Sequence, residues 1–91
     1  MACVHAIVSG RVQRVGFRFH VLRVAQHLGV TGYVRNLPNG RQVEVWAEGE
    51  GEPLEELLAA LRQGPPGARV EDVDVQWPAP TASYSRFQVK Y

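Results

Sequence analysis

Arginine crowds one short stretch of this chain. "GRVQRVGFRFHV" and the two residues after it carry Arg11, Arg14, Arg18 and Arg23, with Gly10 and Gly16 bracketing a loop. A glycine-bracketed loop that leads from a strand into a helix aims several backbone N–H groups at one spot, because both the loop and the helix start leave donors unpaired. Such a concavity takes an anion, phosphate above all. Arg18 falls in the first turn of that helix, where a cation opposes the helix dipole at a cost of about 0.3–1 kcal/mol. An anion held between the N–H groups and the guanidinium reverses the sign of that cost. Residues 10–30 contain no acid, so Arg18 has no local partner there.

The surrounding residue types restrict the reaction. Ser9 is the only serine near the loop, and no acid stands by to orient a base. His5, His20 and His27 are spaced too irregularly for a metal site, no cysteine or carboxylate joins them, and they read as ordinary strand and helix residues. An arginine-plus-amide site offers neither a nucleophile nor a strong general acid. It can orient water and stabilise phosphoryl charge. That suffices when the leaving group departs without a proton. An acyl phosphate meets the condition, because it expels a carboxylate.

The elements that must position these groups follow from periodicity. "ACVHAIVSG" is a strand with Val4, Ala6 and Val8 on one face. From Phe17 the period becomes helical through Val21, Val24, Ala25 and Leu28, and Gly29 ends the helix. "VTGYVRN" is a second strand, "LPNG" a turn and "RQVEVWAEG" a third strand with Val43, Val45 and Ala47 on one face. A second helix is expected to start near Pro53 at its N1 position, with Glu52, Glu55 and Glu56 in the first turn and Leu54, Leu57, Leu58 and Leu61 buried. Gly64 stops it, and "GPPGA" is a rigid loop. "VEDVDVQW" is a fourth strand with Val73, Val75 and Trp77 on one face, and "PAPTAS" breaks it. "YSRFQVKY" ends the chain with Phe87, Val89 and Tyr91 inward.

This order, β-α-β-β-α-β plus a terminal strand, predicts an α+β fold of the ferredoxin-like, split βαβ plan, a sandwich with two helices on one face of a mainly antiparallel sheet. In a right-handed crossover the first two strands run parallel. The end of the second strand therefore lies on the same sheet edge as the glycine loop. That end is "VRN", so Arg35 or Asn36 faces the anion, and strand alternation allows only one of them to do so. Asn offers a donor and an acceptor together, enough to hold a water and a phosphoryl oxygen at once.

Totals set the outer bounds. Ninety-one residues predict one domain, 1–91, with no internal repeat or linker. The net charge of +1 does not indicate a general nucleic-acid binder. Its distribution is uneven: residues 1–47 hold six arginines against Glu44 alone, while residues 48–91 hold four basic residues against eight acids. The positive half is the one with the anion loop. Cys3 is the only cysteine, so no internal disulfide can form, and it is expected to pack as a small apolar residue. No apolar run approaches the ~18 residues of a membrane span and no leader pattern opens the chain, so a cytosolic, soluble monomer with no membrane partner is expected.

These residues resemble the acylphosphatase family. Its first-loop pattern, G-x-V-Q-G-V-x-F-R, is met by Gly10, Val12, Gln13, Val15, Phe17 and Arg18, with Arg14 standing where the pattern has glycine. A second family stretch appears as Gly32, Val34, Asn36, Asn39-Gly40 and Val43-Glu44, and the terminal F-x-V-x-Y matches as well. The similarity spans essentially the whole chain. It implies a small, metal-independent acid-anhydride hydrolase without a cofactor. Its substrate would be an acyl phosphate and inorganic phosphate a product. It implies Arg18 and Asn36 as the catalytic residues, Arg18 binding the phosphate and Asn36 positioning the attacking water. The phosphate-binding loop would comprise Gln13, Arg14, Val15, Gly16, Phe17 and Arg18, with backbone N–H groups from about Arg14 to Arg18 cradling the phosphoryl oxygens. If position 14 needs φ > 0, Arg14 carries backbone strain there that glycine would not.

Two other readings compete. One is a non-catalytic phosphate- or nucleic-acid-binding module, since "RVGFRFHV" faintly resembles an RNA-binding octamer. Against it, Phe17 and Phe19 fall at a helix start and not on a central strand, so no nucleic-acid partner is expected. The other is an acylphosphatase-like module serving carbamoyl-phosphate chemistry; such modules occur fused to larger enzymes, and this chain is expected to stand alone.

Overall fold

The computed structural model describes residues 1–91. β1 (Ala2–Arg11) buries Val4, Ala6 and Val8 on one face, as strand alternation requires. α1 (Phe17–Leu28) turns Phe17, Val21 and Ala25 inward and stops at Gly29. β2 (Thr31–Asn36) and β3 (Gln42–Gly49) form the hairpin around the 37–40 turn, with Val34, Val43, Val45 and Ala47 buried. α2 (Gly51–Gln63) buries Leu54, Leu57, Leu58 and Leu61. β4 (Arg69–Gln76) and β5 (Phe87–Lys90) complete a five-stranded sheet ordered β4-β1-β3-β2-β5.

β1 and β2 both pair antiparallel with β3, so they run parallel to each other with β3 between them. Only the β2–β5 pair is hydrogen-bonded in parallel. The apolar stripes of both helices merge with the facing strand residues into one core of 17 buried side chains, which places both helices on the same side. This is the split βαβ plan, and it sets the loop after β1 beside the end of β2.

Three expectations need correction. α2 begins at Gly51, two residues before Pro53, and has only Glu52 as an acid in its first turn. Pro53 still sits within the first turn, where a missing N–H costs nothing. Trp77 lies past the end of β4 and is 47% exposed, and Tyr91 lies past β5 and is 90% exposed. Both errors come from continuing an alternation beyond the last paired residue. β4 itself is an edge strand interrupted by a register shift opposite Ser9 and Gly10. The shift leaves Val70 and Val73, three positions apart, both packed against the core.

The sheet face away from the helices is crossed by the segment between β4 and β5, and Glu48 anchors that segment. Its carboxylate is buried and accepts hydrogen bonds from Trp46 Nε1 (2.7 Å), Thr81 Oγ1 (2.7 Å), and the backbone N–H groups of Thr81 (3.1 Å) and Ala82 (2.8 Å). Burial by itself would raise the carboxyl's pKa. The bonds from Trp46, Thr81 and Ala82 outweigh it and bring the value from 4.5 down to about 2. Cys3, paired in register with Glu48, packs as a buried thiol whose pKa rises to about 11, through burial and then the charge of Glu48.

A folded-state pKa below the unfolded one stabilises the protein fully above the unfolded value and loses that contribution as pH falls through the folded value. Glu48 should therefore contribute its full share above pH 4.5 and lose it towards pH 2. Glu48→Gln is expected to lower stability at neutral pH by about 1–3 kcal/mol, because buried donors lose their charged acceptor. It should also flatten the acid limb of stability against pH. Denaturant titrations of both proteins between pH 2 and 7 measure this.

Candidate active site

β1 delivers the loop through Gly10, whose φ of 132° and close approach to β4 exclude a side chain: a Cβ there would lie 2.2 Å from the carbonyl oxygen of Arg69. Val12 and Phe17 are buried and fix the two ends of the loop to the core. The Gln13 side chain turns towards the β2–β3 hairpin, where Nε2 donates to the carbonyl oxygens of Leu37 (2.8 Å) and Gln42 (2.9 Å). Loop and hairpin are thereby locked to each other at the base of the turn.

Between these anchors the backbone takes two left-handed residues, Arg14 (φ 64°) and Gly16 (φ 76°). Gly16 is the N-cap of α1 and supplies no side-chain cap, and the first turn contains no acid. The first amide of α1 to find a backbone partner is that of His20, which bonds to the Gly16 carbonyl (3.0 Å). The amides of residues 14–19 enter no turn or loop hydrogen bond. They form a concave set of free donors at a helix start. Arg14 holds its left-handed conformation without glycine's freedom, at a cost of about 1–3 kcal/mol.

Arg18 is half-buried and makes no ion pair; its guanidinium lies 4.9 Å from the centre of the Tyr91 ring. Alternation along β2 separates Arg35 from Asn36. Arg35 is exposed and pairs with Glu44, which also meets His5 Nε2 at 2.7 Å. Asn36 shares the face of Val34 and points to the loop. Val12, Arg14, Gly16, Phe17, Arg18, Phe19 and Asn36 line one concavity of about 80 Å³. That is room for two or three waters, or for one small polyatomic anion, and far below the ~300 Å³ at which pockets for drug-sized ligands begin. Asn36 lines this concavity, and its Oδ1 is buried with no hydrogen-bond partner. A buried carbonyl without a partner is costly and points to a ligand or solvent molecule that completes it.

The geometry thus gathers Arg14, Gly16, Phe17, Arg18 and Asn36 in one pocket, while the side chains of Gln13 and Val15 do not line it. Periodicity and spacing overlooked Phe19 and Tyr91. Phe19 lies off the buried stripe of α1 and is 55% exposed, so an aromatic on the wrong helix face was the available signal. Tyr91 reaches Arg18 only because β5 pairs with β2, which no local pattern reveals.

A larger, open groove of about 390 Å³ runs along α1 past His20, Arg23, His27 and Glu56. Burial, then the charge of Arg23, lower the pKa of His20. No three His, Cys, Asp or Glu side chains anywhere in the fold approach closely enough to hold a metal ion. No helix is long and apolar enough to cross a membrane. Phe17 is buried against the sheet at the start of α1, while Phe19 is exposed.

A family model described as Acylphosphatase matches residues 4–89. The acylphosphatase of Dehalococcoides mccartyi strain CBDB1 is 50% identical over 91 residues, covering 100% of both chains. The crystal structure of acylphosphatase from Bacillus subtilis superposes with a TM-score of 0.95 at 35% identity, again covering 100% of each chain. Full-length HypF, in a structure described as its phosphate- and nucleotide-bound form, superposes with a TM-score of 0.84 at 26% identity, over 99% of this chain and 12% of that one.

Proposed function

The chain belongs to the acylphosphatase family, and from that premise we propose that residues 1–91 act as one domain that hydrolyses the carboxyl–phosphate bond of acyl phosphates. The products are a carboxylate and inorganic phosphate. One observation carries the assignment of roles: Asn36, whose Oδ1 has no partner in the protein, lines an 80 Å³ concavity together with Arg18 and residues of the β1–α1 loop.

The loop amides from Arg14 to Arg18 receive the phosphoryl oxygens, and the Arg18 guanidinium binds them through two parallel N–H···O contacts. The backbone holds the loop amides in place before the substrate arrives, so they stabilise developing phosphoryl charge without reorganising. Asn36 Oδ1 accepts a hydrogen bond from a water and turns its lone pair towards phosphorus. Water attacks, the P–O bond to the acyl group breaks, and the bonding pair leaves on the carboxylate. The leaving group needs no proton, consistent with a pocket lined by no histidine and no carboxylate. The proton of the water passes to a phosphoryl oxygen and then to solvent.

The proposed reaction needs no divalent ion, because Arg18 and the loop amides supply the positive charge that meets the phosphoryl oxygens. Turnover of benzoyl phosphate is expected to persist in excess chelator, with inorganic phosphate as a competitive inhibitor because it fits the same cradle. Loss of activity on chelation, restored by a divalent cation, would overturn this reading.

A further inference from the structure

Arg14 holds an unfavourable position without an internal reason. Its backbone is left-handed, at a place where the family pattern has glycine. Its side chain is exposed and makes no ion pair. No acid lies nearby in sequence to receive it, and the one acid of residues 1–47, Glu44, is already engaged by His5 and Arg35. Yet Arg14 lines the same concavity as Arg18.

We infer that Arg14 is a specificity residue, selecting acyl phosphates whose acyl group carries a second anionic group, a carboxylate or a phosphate. The inference rests on the acyl-phosphate reading above. In a pocket this small, Arg18 and the loop amides occupy the phosphoryl end. The acyl chain must therefore extend outwards, towards the exposed side chains of the lining, Arg14 and Phe19. A neutral acyl group touches the ring and gains nothing from the guanidinium. An acyl group ending in an oxyanion meets a planar fork that binds carboxylate or phosphate in two-point fashion. Because the contact is exposed, its contribution is modest and falls as salt rises.

The test compares benzoyl phosphate with 3- and 4-carboxybenzoyl phosphate, the two positions covering different reaches. The readout is the ratio of kcat/KM for the carboxylated substrate to that for benzoyl phosphate. Effects on the loop common to all the substrates cancel in this ratio, and so does the intrinsic reactivity of each substrate when variants are compared. Arg14→Gln keeps a side chain on the left-handed residue and removes the charge; Arg14→Gly removes both. For at least one carboxylated substrate, the ratio is expected to fall about 5-fold in both variants and to be partly retained in Arg14→Lys. In the parent protein it should decline between 0.05 and 0.5 M salt, and in Arg14→Gln it should stay flat. Ratios that change by less than twofold in Arg14→Gln for both carboxylated substrates would overturn the inference while leaving the acyl-phosphate reading intact. A parent protein that fails to turn over benzoyl phosphate would instead defeat that reading, and the inference with it.

Discussion

Arg18→Ala is expected to reduce kcat/KM for benzoyl phosphate about 10³-fold or more. Removing one fixed hydrogen-bond donor from a site of developing charge typically costs ~10²–10³ in rate, and arginines that stabilise phosphoryl transfer contribute ~10³–10⁵. Arg18 also binds the ground state, so KM should rise while kcat falls. Lysine should not restore activity, since a point charge lacks the planar fork that meets two phosphoryl oxygens. The loss separates from folding in a characteristic way. Arg18 is a cation in the first turn of α1, with no acid in that turn and no ion pair. Its removal should leave the unliganded protein as stable as before, or more stable by about 0.3–1 kcal/mol. Phosphate should raise the Tm of the parent protein by mass action and do so weakly or not at all in Arg18→Ala. Steady-state kinetics with thermal melts in and out of phosphate check both halves. A variant that melts lower without phosphate and still responds fully to it would make Arg18 a structural residue.

Asn36→Ala should behave differently. Its Oδ1 is buried and bonds to nothing in the protein, so truncation breaks no hydrogen bond of that atom. It removes the group that positions the water, and a misplaced nucleophile costs about 10²-fold. The expected result is a kcat lowered about 10²-fold, with the inhibition constant for phosphate changed by less than about threefold. Near-normal kcat would mean that Asn36 merely ends β2 and that the water is held elsewhere.

Why Asn36 and not Arg35 faces the loop shows how far the sequence alone could go. Strand order and crossover direction bring "VRN" to the loop's edge, but alternation allows either residue to point there. The ion pair of Arg35 with Glu44 settles it, and that pairing depends on the β2–β3 register. The stripes of Leu54, Leu57, Leu58 and Leu61, and of Val43, Val45 and Ala47, were legible because burial on one face imposes its period on the sequence. Glu48 was not legible. It alternates outward from Ala47, and only the segment around Thr81 and Ala82, distant in sequence, makes it a buried anchor. Gln13 carries the same lesson at the site. A loop amide side chain beside an anion site reads as a ligand, yet it is consumed by the Leu37 and Gln42 carbonyls, and its contribution is to hold the cradle in register with β2.

In the proposed reaction, water held beside Asn36 attacks phosphorus within the loop cradle. Hydrolysis of benzoyl phosphate by the parent protein in water enriched in ¹⁸O, with both products analysed by mass spectrometry, tests it directly. Attack at phosphorus breaks the bond between phosphorus and the bridging oxygen. Each phosphate formed should therefore carry one solvent oxygen, and the benzoate none. Label in the benzoate, with unlabelled phosphate, would place the attack on the acyl carbon and contradict the roles assigned to Arg18 and Asn36.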